Sequence, residues 1–138
     1  MSSEPAFANR SIPTAVRAFT WHDLLVCAAL ATPPTAGLIL GLLSLISGIA
    51  GGPAVEVPAG PAMFFVNLAG LFGVLWNIAM LSESQPRLHR VDLMARACVI
   101  SLIVFHVVWS GLPRVFALFV LTELSGGLAK RLWLRTKA

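Results

Sequence analysis

Long apolar runs recur along the chain, and the last of them, residues 113–134 (PRVFALFVLTELSGGLAKRLWL), carries one carboxylate, Glu123, near its middle. A helix needs about 20 apolar residues to cross a bilayer. A carboxylate at the centre of such a helix is costly unless it is protonated, paired or facing water. The rest of the chain must therefore offer Glu123 something.

The surrounding composition is that of an integral membrane protein. Of 138 residues, 57% are hydrophobic and 12% charged, with a mean hydropathy of +0.84. A soluble domain carries about 25% charged residues. The reading is all-α, in one domain. The net charge of +4 gathers at helix ends, which makes it topology information rather than a nucleic-acid footprint. Cys27 and Cys98 sit inside apolar runs with no CxxC, and read as small buried hydrophobes. No HExxH, GxSxG, P-loop, GxGxxG or EF-hand pattern occurs. The three histidines are scattered, so no metal and no cofactor are expected.

Breakers divide the chain. Residues 1–20 read as a cytosolic tail, with Pro5 and Pro13 as breakers. The apolar block 21–50 would make one helix of about 45 Å, longer than a ~30 Å hydrocarbon core. Thr32-Pro33-Pro34 interrupts it, because proline lacks a backbone donor and clashes with the preceding turn. A short pre-helix at 21–31 and a first span at 34–50 are expected. The loop 51–61 is rich in glycine and proline and carries one charge, Glu56. Spans at 62–82, 91–109 and 113–134 follow, then a basic C-terminus at 135–138. The expected architecture is a polytopic four-helix bundle running up-down-up-down, with the transmembrane domain covering 21–134. The short turn at Ser110, Gly111 and Leu112 makes the last two spans antiparallel neighbours.

Nine of the ten basic residues fall on one side of these spans, with Arg114 alone on the other. By the positive-inside rule both termini are cytosolic. A multi-pass protein of the bacterial inner membrane is expected. Trp21, Trp109 and Trp133 mark the interfaces; Trp76 lies deeper and reads as packing.

Depth and angle then place the polar groups. Glu123 sits about 15 Å down, near the midplane, with Ser101 at the same level. His106 and Asn67 fall in the outer third, Asn77 and Arg96 in the inner third, and Asp92 at the inner edge. Each helix gathers its polar groups on one stripe: Asn67, Gly70 and Asn77; Asp92, Arg96 and His106; Glu123, Gly127 and Lys130. Polar stripes in lipid turn inward, so the three are expected to meet along one seam. Asp92 and Arg96, at i,i+4, read as an ion pair at the inner interface. Glu123 has no basic residue at its own level, so a protonated glutamate bonded to Asn67, Asn77 or Ser101 is expected. Glu123, His106, Asn67, Asn77 and Ser101 are the candidate substrate- or ion-binding residues. None is assigned a catalytic role.

The pre-helix and break (DLLVCAALATPPTAG), the span with FFVNLAG, the basic stretch ending in Arg96 and the last helix with LTELSGG resemble small four-helix bacterial inner-membrane proteins. The plan is also similar to DoxX-like and EXPERA-type bundles, whose functional motifs do not occur here. Small multidrug transporters are similar in size and use a membrane glutamate, but theirs lies in the first helix. These resemblances imply the fold plan and no residue roles. The function expected is non-enzymatic: binding or conducting a small solute, a lipid-like molecule or a proton around Glu123. One alternative is a structural or accessory subunit of a larger membrane complex. Another is a membrane enzyme on a lipid-soluble substrate, with His106 and Glu123 as acid and base. The partners expected are the lipid bilayer and a homo-oligomer or larger complex, with no nucleic acid.

Overall fold

A computed structural model describes residues 12–136. Residues 1–11 of the expected N-terminal tail, and residues 137–138 of the basic C-terminus, lie outside the described residues. The described chain is all-α: α1 (Thr14–Leu30), α2 (Pro33–Ile49), α3 (Pro61–Ser82), α4 (Pro86–Trp109), a 3-10 turn (Arg114–Phe116) and α5 (Ala117–Arg135).

Proline sets nearly every boundary. Pro33, Pro61 and Pro86 occupy the first turn of α2, α3 and α4. Pro13 and Pro113 immediately precede α1 and the 3-10 turn. A proline there costs no internal hydrogen bond, and its fixed φ suits the first turn. Two expected starts shift as a result. The third expected span begins at Pro86 rather than 91, which takes His89 out of a loop and into a helix. The pre-helix begins at Thr14 rather than 21 and has 17 residues, as many as α2. Its extra turns form because they pack. Val16 is buried against Trp133 and Leu134 of α5, and the buried Thr20 hydroxyl donates to Val16 O at 2.9 Å.

This lengthened α1 lies between α3 and α5. It runs antiparallel to α3, with Leu30 beside Asn67 and Cys27 beside Gly70 and Gly73. The approach is backbone on backbone: a Cβ at Gly70 would lie 2.6 Å from Ala31 N and 2.7 Å from the Leu30 carbonyl carbon. Glycine permits such closeness between membrane helices. Helices α4 and α5 form an antiparallel hairpin. Gly111 takes φ +74°, and Leu112 N returns to His106 O at 3.0 Å.

α2 turns away from α1 by 111° at the Thr32 break. Its Leu40 and Leu43 pack with Val55 of the following loop and with Phe116 and Phe119 at the start of α5. The loop doubles back along α2, held by Ser47 Oγ donating to Pro53 O and by Val55 N donating to Ser44 Oγ.

α3 and α4 are each long and apolar enough to cross a membrane, and α1 with α2 meets the same test as a bent pair. The polarity is inside-out. Lys130 is 1% exposed and His89 wholly buried, whereas Leu38 is 74% and Ile49 80% exposed. Water-soluble folds bury charge only rarely and avoid large apolar surfaces. A hydrocarbon surround reverses both preferences.

Candidate functional site

The hairpin register of α4 and α5 brings charge to its centre. Asp92 lies opposite Lys130, Arg96 opposite Glu123, and His89 opposite Trp133. α1 adds Asp23 from the third side. The Arg96 guanidinium uses each of its nitrogens separately. Nε donates to Asp92 Oδ2 at 2.9 Å, Nη1 to Glu123 Oε2 at 2.8 Å, and Nη2 to Asp23 Oδ2. A planar fork can bridge three carboxylates in this way, whereas an ammonium is a point charge. Lys130 Nζ donates to Asp92 Oδ2, and Trp76 Nε1 of α3 to Asp92 Oδ1 at 2.7 Å. Four helices, α1, α3, α4 and α5, thus contribute to one network.

Gly126 makes room for it. A Cβ there would stand 2.9 Å from Arg96 Nη1 and 3.4 Å from Phe19 Cβ. The guanidinium passes over bare backbone to reach α1.

The carboxylates are unequally held. Asp92 takes Trp76, Arg96 and Lys130. Asp23 takes Arg96 and lies 3.2 Å from His22 Nδ1. Glu123 takes Arg96 alone among the described residues, and its side chain is 21% exposed against 15% for Asp23 and 5% for Asp92. With all five groups ionised, three carboxylates face two cations, an excess of one negative charge.

The expected seam is therefore corrected. Glu123 does have a cation at its level, because the long arginine side chain spans the turn that separated them by depth counting. Asp92 and Arg96 do meet at i,i+4. The amides of α3 turn to α1, which stands where α5 was expected. Asn67 Nδ2 donates to Leu30 O at 2.7 Å. This bond has a local cause: the i+4 donor for Leu30 O would be Pro34, which has no N–H. Asn77 Nδ2 donates to Gly73 O at 2.8 Å within its own helix, and lies 3.9 Å from Cys27 Sγ.

Ser101 and His106 are not brought to Glu123. Ser101 is exposed and donates to Ala97 O at 2.9 Å. Five residues past Arg96, it points about 140° around the helix from it. His106 is exposed ten residues, about 15 Å, further along α4 than Arg96. It lines a separate cavity with Glu56 and Ser110. The acid–base pair of His106 and Glu123 is therefore not formed.

The sequence reading names Lys130 only as part of the last helix's stripe, with no partner, and gives no site role to Asp23, Trp76 or His89. His89 Nε2 lies 3.0 Å from Glu83 O, its ring stands edge-on to Trp133, and Nδ1 has no hydrogen-bond partner among the described residues. The signal that could have found Lys130 was the 110–112 turn, which fixes its pairing with Asp92. Among the described residues no three His, Cys, Asp or Glu side chains are grouped to hold a metal ion. Comparison with protein-family models, curated proteins and solved structures returned no match.

Proposed function

We propose that the chain is a non-enzymatic, multi-pass protein of the bacterial inner membrane whose charge network binds an exchangeable proton, with Glu123 as the carboxylate that takes it. In this reading α1, α3, α4 and α5 cross the membrane in alternating directions, both termini are cytosolic, and α2 bends off at the outer end. The observation that carries the reading is the excess carboxylate. A net charge in a low-dielectric interior is unfavourable, and one bound proton removes it. Glu123 has the fewest donors to lose and the most access. Stability alone does not call for such a network, since apolar side chains of similar volume often serve as well as a buried ion group.

Infrared pH-difference spectroscopy on the protein in lipid tests this. The expected result is a carboxylic C=O band that grows on acidification and is lost in Glu123→Gln but kept in His22→Gln. A band unchanged in Glu123→Gln would overturn the assignment. Reporter fusions at Ala59 should read outside and at Ala138 inside; the reverse pattern would overturn the topology.

A second reading, an accessory subunit of a larger complex, is favoured by one face of α2. Gly37, Gly41 and Gly48 have nothing within 4 Å of an added Cβ. Open small residues at this spacing let another helix approach. Extraction in mild detergent that yields only monomer counts against it.

A further inference from the structure

At the end of the molecule away from Lys130, a groove of about 840 Å³ runs between the C-terminal part of α2 and the start of α5. Ligand pockets occupy roughly 300–1,000 Å³. Its walls are apolar, with Ile46, Val107, Val115, Leu118 and Leu121 among them. The polar groups of the α2 wall are already used: Ser47 Oγ donates to Pro53 O, and Gly52 N donates to Ser47 O. Arg114 differs. It lines the groove, is exposed, and its side chain makes no ion pair or hydrogen bond with another described residue.

The order of these residues along the chain gives the groove a polarity. Arg114 stands at one end, and Leu118 and Leu121 follow at one-turn intervals toward the level of Glu123. Seven residues of helix rise about 11 Å. A cation at the mouth and an apolar trough running inward match an amphiphile with an anionic head and a hydrocarbon tail. Among the described residues the other lysines and arginines lie in the network or toward the opposite end, and Arg114 is the one that lines this groove.

We propose that this groove is a binding site for an anionic phospholipid of the bilayer, with the phosphate on the Arg114 guanidinium and one acyl chain lying along α5 past Leu118 to Leu121. Guanidinium and phosphate match in shape and charge. The site is separate from the Glu123 network, and either can fail without the other.

The test places a tryptophan in the trough, Leu118→Trp, in vesicles of phosphatidylcholine containing a minor share of phosphatidylglycerol. Bromine on the acyl chains of one lipid or the other reports which sits against the new indole, as extra quenching over the parent protein. The expected result is about a fivefold preference for phosphatidylglycerol, the scale of one basic residue near an anionic surface. Adding Arg114→Gln should abolish the preference and Arg114→Lys should retain it. No preference, or one undiminished by Arg114→Gln, overturns the site. Should Leu118→Trp fail to fold, native mass spectrometry of otherwise unmodified protein decides. A phosphatidylglycerol adduct that survives detergent removal and is lost in Arg114→Gln supports the site; equal retention overturns it.

Discussion

Replacing Arg96 by methionine keeps the volume and removes the one group that three carboxylates share. Asp23, Asp92 and Glu123 would then face Lys130 alone, which reaches only Asp92. Removing one partner of a buried ion pair costs about 3–5 kcal/mol. Arg96→Met should fall in that range, a large part of a total stability of roughly 5–15 kcal/mol. Glu123→Gln should cost about 1 kcal/mol alone, since the amide oxygen still accepts from Nη1. In the methionine background the same change removes an uncompensated buried charge, so its sign should reverse and stabilise the protein. The resulting coupling is about 2 kcal/mol, within the usual span for contacting residues. Reversible unfolding in mixed micelles, followed by helical circular dichroism, measures all four corners of the cycle. An Arg96→Met loss below about 1 kcal/mol, the scale of an exposed pair, would refute the reasoning. So would an equal cost of Glu123→Gln in both backgrounds.

Gly70→Ala drives a methyl into the α1 backbone and should cost about 2 kcal/mol in the same unfolding assay; a neutral result would mean that α1 and α3 are not in backbone contact. Asn67→Leu leaves Leu30 O without its donor and should cost about 1 kcal/mol, and no loss would place that carbonyl in water. Trp76→Phe keeps an aromatic but smaller ring and drops the bond to Asp92, for at least about 1.5 kcal/mol, the lower end for a hydrogen bond to a charged group. Ser101→Ala should stay within about 0.5 kcal/mol, as for surface positions without special contacts; a larger loss would put Ser101 inside the bundle.

The prolines made much of the fold readable, since they mark where helices begin whatever packs around them. The α4–α5 hairpin was equally legible, because a three-residue turn leaves antiparallel packing as the only short route. α1 was not. Thr14, Arg17 and Thr20 interrupt the apolar run that betrays a span, and it is the packing of Val16 on Trp133 and Leu134, with Phe19 beside Gly126, that holds this segment in the helix. With α1 shortened, Asp23 fell at an interface instead of mid-helix, and the amides of α3 were left facing Glu123. Depth counted from separate helix ends then parted Arg96 from Glu123, although the turn register already set them near one another. The stripe on α4 failed for a different reason. A heptad spacing drifts on a straight helix, so His106 ends about 80° around from Arg96. The surface it reached is open rather than buried.

The central claim is that Arg96 holds Glu123 inside the bilayer and that Glu123 exchanges a proton there. Solid-state NMR on protein labelled at both side chains, in lipid, measures both together. The account predicts a strong dipolar coupling between the Arg96 guanidinium nitrogens and the Glu123 carboxyl carbon at neutral pH, as the 2.8 Å Nη1–Oε2 bond requires. It predicts also that the Glu123 carbon shift moves from carboxylate to carboxylic acid on acidification as that coupling weakens. Absence of the coupling at neutral pH, or a Glu123 shift that stays fixed while the protein remains folded in acid, would contradict it.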